Sequence, residues 1–272
     1  MGPSNHNIMI SKAKLKLIHS LENKKGRREH GLFVAEGPKV VGDLLSRFPV
    51  KLVVAIDEWI KDNKDHLQDT EIIAVDADEL RKASLLQHPQ QVLALFELPE
   101  DKAEPADILP LLRAENDQKL SLALDGVQDP GNLGTIIRVA DWFGVEEIFC
   151  SLNTADAYSP KVIQATMGSI ARVRVHYTDL EQLIHSLPND YPVYGTLLDG
   201  EDIYSQQLTR GGLIVMGNEG NGISPAIRPL INHRLLIPNY PKGRPTADSL
   251  NVAIATAITC AEFRRNSLLC NR

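Results

Sequence analysis

Three stretches in the second half of the chain gather residue types that can handle a ligand, each at the end of an apolar run. The first, DGVQDPGNLG from Asp125 to Gly134, opens a helix that carries Arg138. Asp129 and Asn132 suit an ordinary turn and cap, and the glycines relieve backbone strain. They suit a binding site equally well. Glycines at a strand's C-terminal edge let a ligand approach the backbone, while Asn132 and Arg138 offer donors to ribose or phosphate. The spacing is read as sending both side chains toward one loop region. The second stretch, VMGNEGNGIS from Val215 to Ser224, has Gly217, Gly220 and Gly222 in a pattern that does not spell GxGxxG, and GxxxxGK[ST] occurs nowhere. Dinucleotide and P-loop sites therefore lack their signature. Glu219 reads as a partner for a cation such as Arg138 or as a solvated loop acid. The third stretch, from Ile237 to Ala253, leads into a helix that ends near Arg265. Ser249 could cap that helix. Asn251, expected inside the first turn, is a poor helix former, and a polar face of Ser249 and Asn251 toward a cleft would give it a reason to be there.

The elements around these stretches alternate. Near-continuous apolar runs at Leu120–Val127, Glu147–Leu152, Pro192–Leu198, Gly212–Glu219 and His233–Pro238, separated by helical stretches, predict a parallel sheet covered on both faces. Earlier, Leu15, Ile18 and Leu21 recur at helical spacing between Ser11 and about Asn23 and predict an amphipathic helix with a lysine-rich outer face. Strands are expected at Leu32–Glu36, Val50–Asp57, Glu71–Val75 and Gln91–Leu98, with helices around Val40–Phe48, Glu58–Leu67 and Ala77–Leu85. PEDKAEPAD, from Pro99 to Asp107, combines two prolines with a surplus of charge and reads as a linker, followed by a short LPLL turn or helix. Met1 to Asn7 reads as a tail outside the fold.

Composition narrows the chemistry. An apolar share of 43% with 24% charged residues fits a soluble globular protein, and no run approaches the roughly 18 apolar residues of a membrane helix. The start shows no secretion signal, and three cysteines, Cys150, Cys260 and Cys270, form neither a zinc set nor a disulfide framework. A reducing cytoplasm is the expected compartment. Eight histidines without HExxH argue for catalysis without a metal. The formal charge of −6 disfavours indiscriminate coating of nucleic acid, but Lys12, Lys14, Lys16, Lys24, Lys25, Arg27 and Arg28 crowd the beginning. Such a run is a solvated helix face or a phosphate-binding patch.

Together the three stretches resemble the SpoU family of RNA ribose methyltransferases, within the knotted methyltransferase superfamily. The motifs stand in order as DPGNLGTIIRVADWFG (Asp129–Gly144), VMGNEGNGIS (Val215–Ser224), and IP (Ile237, Pro238) followed by DSLNVAIA (Asp248–Ala255). The likeness spans residues from about 118 to 265, with SPKVIQATMGS (Ser159–Ser169) also similar. Residues from about Ile10 to Leu98, best along FVAEGPKVVGDLL (Phe33–Leu45), resemble the substrate-binding domain that precedes the catalytic domain in many such enzymes. One departure is a longer link, NYPKGRPTAD from Asn239 to Asp248, expected to add an RNA contact through Lys242 and Arg244 or to change how the cofactor is covered.

The resemblance implies an α/β fold: an RNA substrate-binding domain over 8–98, a linker over 99–117 and a parallel-sheet domain with a deep trefoil knot over 118–268. It implies methyl transfer from S-adenosyl-L-methionine to a ribose 2′-hydroxyl of structured RNA, ribosomal RNA ahead of transfer RNA. Arg138 would contact the phosphate and the hydroxyl, Asn132 would orient ribose, Glu219 would fix its partners, and Ser249 and Asn251 would complete the site. Gly195, Thr196, Gly217, Ile237 and Leu250 would contact the cofactor, and Lys24, Lys25, Arg27 and Arg28 the RNA. A homodimer is expected through the helix Asn251–Phe263, whose Val252, Ile254, Ala255, Ile258 and Ala261 need burial. Removing residues 1 to 98 is expected to weaken RNA binding and its salt dependence while leaving cofactor binding nearly intact. The rival readings are a non-catalytic RNA-binding protein of ribosome assembly and, on the α/β pattern alone, a nicotinamide dehydrogenase.

Overall fold

Apolar runs and helical stretches alternate along the chain, and their contacts sort them into two units. The computed structural model describes residues 9–100, 103–112, 119–241, 244, 245 and 247–269. Met1 to Asn7, Lys242 and Cys270 lie outside the described residues.

The first unit comprises Met1–Pro99 together with Asp156–Ala171, and the second Glu100–Ala155 together with Arg172–Arg272. In the first, the expected helix is α1 (Lys12–Ser20), capped by Ser11, and a second, α2 (Lys24–His30), follows and stops at Gly31 in a left-handed conformation. There follow β1 (Leu32–Glu36), α3 (Pro38–Leu45), β2 (Val50–Ala55), α4 (Asp57–Asp62), β3 (Glu71–Ala74), α5 (Ala77–Ala83) and β4 (Val92–Glu97). The sheet order is β1-β4-β2-β3, parallel only between β2 and β3. Ile18, Leu21, Leu52, Val54, Leu93 and Leu95 form its core.

The second unit runs α6 (Pro105–Leu112), β5 (Leu120–Leu124), α7 (Pro130–Trp142) and β6 (Glu147–Cys150). Here the chain contributes α8 (Pro160–Thr166) to the first unit, then returns with β7 (Arg174–Tyr177), α9 (Leu180–His185), β8 (Val193–Asp202), β9 (Gly212–Met216), β10 (His233–Leu236) and α10 (Val252–Leu269). All six strands are parallel, in the order β10-β8-β9-β5-β6-β7. β5 and β9 are buried along their whole length, which is why they read as unbroken apolar runs. On one face Phe149, Leu183, Val193, Leu213 and Val215 pack with α6 and α9. Strand alternation turns Tyr194 to the other face, where it meets Phe263 of α10 edge-on at 4.8 Å. α7 packs beside α10 there.

The buried side of α10 is Val252, Ala253, Thr256, Cys260 and Phe263, while Ile254 is 53% exposed and Ala261 is exposed. Val252 is thus satisfied within its own chain. Trp142, at the end of α7, is 86% exposed. Among the described residues no helix is long and apolar enough to cross a membrane.

Asp156–Ala171 belongs by its contacts with the first unit. Arg27 donates from Nη2 to Asp156 at 2.6 Å, and the Tyr158 ring lies 5.1 Å from that of Phe33. Val162, Ile163 and Ile170 are buried.

Candidate functional site

The C-terminal ends of β5 and β9 lie side by side, because Leu124 pairs with Met216, and their loops are pinned to each other. Asp125 accepts a hydrogen bond from Ser224 N at 2.7 Å, and Asn218 donates from Nδ2 to the Gly126 carbonyl at 2.7 Å. The second loop also folds on itself: Asn218 and Gly222 exchange two backbone hydrogen bonds of 2.9 Å. Gly217 permits that fold, since a Cβ there would stand 2.2 Å from the Gly222 carbonyl carbon.

Asn132 sits in the first turn of α7, where Asp129 caps the helix by accepting from Asn132 N at 2.8 Å. Asn251 corrects the expectation from sequence. It precedes α10 instead of lying inside its first turn, and its Oδ1 accepts from Ala253 N at 3.0 Å and Ile254 N at 3.3 Å. Asn251, not Ser249, is the cap. Its Nδ2 then donates to Asn132 Oδ1 at 2.9 Å, and Asn132 Nδ2 donates to Glu219 Oε1 at 2.9 Å. Two amide dipoles therefore connect the positive end of α10 to a carboxylate, head to tail, each reinforcing the next.

Glu219 thus pairs with Asn132 rather than with Arg138. Arg138 follows Asn132 by six residues, which on a helix places it about a third of a turn away around the axis, so the two side chains do not share one direction. Arg138 is exposed, and among the described residues no carboxylate pairs with it.

Beside these loops opens a cleft of about 500 Å³, within the range that takes a small-molecule cofactor. Thr196, Gly217, Ile237 and Leu250 line it, as do Glu219 and Ser249. Its apolar wall comes from Leu197, Met216, Ile223, Leu236 and Val252. Gly195 is not among the lining residues, and a Cβ on it would lie 2.4 Å from Ile231 Cδ1, so packing already calls for a glycine there. Arg228 and Asp199, which no motif pointed to, stand in the cleft wall as an ion pair of 2.7 Å. Only tertiary structure brings them together, 29 positions apart.

Of the four basic residues expected to meet RNA, Lys24, Lys25 and Arg28 are exposed. Arg27 is not. It is 3% exposed and donates to the Leu21 and Glu22 carbonyls and to Asp156, which makes it a structural residue. In the long link, Arg244 is exposed. Among the described residues no group of three or more His, Cys, Asp or Glu is placed to hold a metal.

Known proteins resemble this chain in sequence and fold. The SpoU rRNA Methylase family matches residues 119–261, and the MRM3-like substrate binding domain matches residues 12–94. The chain is 28% identical over 253 residues to the 23S rRNA (guanosine(2553)-2'-O)-methyltransferase RlmP of Bacillus subtilis (strain 168), covering 92% of this chain and 96% of that protein. A solved structure from Porphyromonas gingivalis, assigned to the TrmH family of RNA methyltransferases, superposes with a TM-score of 0.81 at 37% identity, over 94% of this chain and 99% of the other. The AdoMet-bound rRNA methyltransferase from Sinorhizobium meliloti gives a TM-score of 0.80 at 29% identity, over 93% and 95%.

Proposed function

The chain belongs to the SpoU rRNA methylase family, and on that premise we propose that it transfers a methyl group from S-adenosyl-L-methionine to a ribose 2′-hydroxyl of ribosomal RNA. The observation that carries this reading is the Glu219–Asn132–Asn251 relay beside a cleft lined by Gly217, Ile237 and Leu250. The lining fits the cofactor. Apolar side chains suit a flat base, and Thr196, Asn218, Ser249 and the glycine-rich loop supply polar groups for a ribose and an amino-acid end.

When bound, S-adenosyl-L-methionine supplies a methyl group already activated by its positive sulfur. The protein's task is then to present a weakly acidic hydroxyl. Asn132, held on both sides, orients the ribose, and Ser249 offers a hydroxyl from the cleft lining. Arg138, without a carboxylate partner among the described residues, serves as an electrostatic stabiliser of the developing alkoxide and a grip on the phosphate.

The first unit holds the RNA through exposed Lys24, Lys25 and Arg28 by phosphate contacts. Two copies associate through α7 and α10, a reading supported by exposed Trp142 and Ile254. The trefoil knot belongs to the same proposal. Its support is that β9 inserts between β8 and the earlier β5, and that α10 packs on α7. The cytoplasm is the proposed compartment.

Incubation with tritiated S-adenosyl-L-methionine and ribosomal RNA, followed by mapping of 2′-O-methyl positions, tests the assignment. A single labelled ribosomal position is expected. Label in transfer RNA alone would move the substrate, and cofactor binding without transfer to any RNA would favour an assembly protein.

A further inference from the structure

The cleft wall carries an uneven distribution of charge. Among the described residues its lining holds three carboxylates, Asp199, Glu219 and Asp248, and one cation, Arg228. Arg228 Nη2 donates to Asp199 Oδ2 at 2.7 Å, and Arg234 Nη1 donates to the same oxygen at 3.0 Å. Two guanidinium groups therefore share one carboxylate, and the trio carries a surplus positive charge. Desolvation raises the Asp199 pKa, but the Arg228 hydrogen bond and the charges of Arg228 and Arg234 together leave it lowered. The anchor stays ionised. The Arg228 side chain is 41% exposed and uses one of its five N–H donors on Asp199, which leaves others for a ligand. Glu219, by contrast, is engaged by Asn132.

Resting on the reading that this cleft takes S-adenosyl-L-methionine, we propose that Arg228 recognises the carboxylate of the cofactor's amino-acid end, with Asp199 as its positioning residue. A ligand carboxylate placed against Asp199, Glu219 or Asp248 would be repelled. A guanidinium offers it directed, charge-assisted donors. Asp199 holds that guanidinium at the wall, so the donors stand ready before the ligand arrives. Arg228 would make the cleft select cofactors that keep the amino-acid end.

Calorimetric titrations of the full chain with S-adenosylhomocysteine and with 5′-methylthioadenosine, which lacks that end, test the inference in wild type, Arg228→Gln and Arg228→Lys. Arg228→Gln should weaken S-adenosylhomocysteine by about 10- to 100-fold, the usual range for a charge-assisted hydrogen bond. It should leave 5′-methylthioadenosine unchanged. Arg228→Lys should recover part of the loss, because it restores the charge without the fork. Equal losses for both ligands, or no loss for either, would overturn the proposal. Failure of wild type to bind S-adenosylhomocysteine would overturn the cofactor reading and this inference with it.

Discussion

Arg138 stands exposed on α7 and pairs with no carboxylate among the described residues, the nearby Asp141 being engaged by Arg172, so little fold stability depends on it. Its proposed work is electrostatic. Arg138→Ala should lower the single-turnover methylation rate at saturating cofactor by about 10²–10³-fold, with the melting temperature and cofactor affinity close to wild type. Arg138→Lys should rescue little. A near-normal single-turnover rate in Arg138→Ala would remove the residue from the chemistry. Asn132 and Glu219 stood out in the sequence as an amide and an acid among glycines, and Asn251 as a poor helix former where a helix was expected to begin. Arg27 was not. Neighbours on a helix point about 100° apart, so Arg27 and Arg28 cannot both face solvent equally, and the residue that turns inward is chosen by Asp156, 129 positions away.

At the scale of elements, the edge of the parallel sheet is fastened by a buried carboxylate. Glu147 of β6 accepts from Arg174 Nε at 2.9 Å and Lys119 Nζ at 3.3 Å, and its other oxygen lies 2.9 Å from His176 Nε2. Burial pushes its pKa up, but hydrogen bonds to His176 and Arg174 and their charges prevail and hold it at about 2, below the ordinary 4.5. A depressed carboxylate contributes stability above its unfolded value and loses it as pH falls through the folded one. Glu147→Gln should therefore cost about 3 kcal/mol at neutral pH and flatten the acid limb of stability between about 4.5 and 2. A series of denaturant melts across that window decides it, and an unchanged slope would refute the assignment. The long central strands were legible from continuous apolarity. β7 was not, because RVHY is short, mixed in polarity and stabilised by cross-strand partners instead of by its own pattern.

At the scale of the molecule, α10 and α7 leave Ile254 and Trp142 exposed, and the proposed homodimer would cover them. Ile254→Glu should shift light scattering from dimer to monomer while leaving the fold in place; an unchanged mass would rule that surface out. The interrupted first unit changes the expectation for truncation. Removing residues 1 to 98 would uncover Tyr158, Val162, Ile163 and Ile170, which pack in that unit. The shortened chain should aggregate or melt well below wild type, and a monodisperse product with unaltered melting would contradict this. Sequence could not disclose the excursion, since Ser159–Ser169 matches the second domain's family pattern, yet α8 packs on β1 and the adjoining Tyr158 ring meets Phe33 and Phe48. The same excursion sets a schedule for synthesis. Domains commonly fold in order as they leave the ribosome, at roughly 5–20 residues per second. Here the N-terminal unit must wait until Ala171 emerges, some seventy residues after Pro99. For several seconds a nascent chain would carry Phe33 and Phe48 without Tyr158 over them, an interval in which a chaperone or the RNA itself could shield that face.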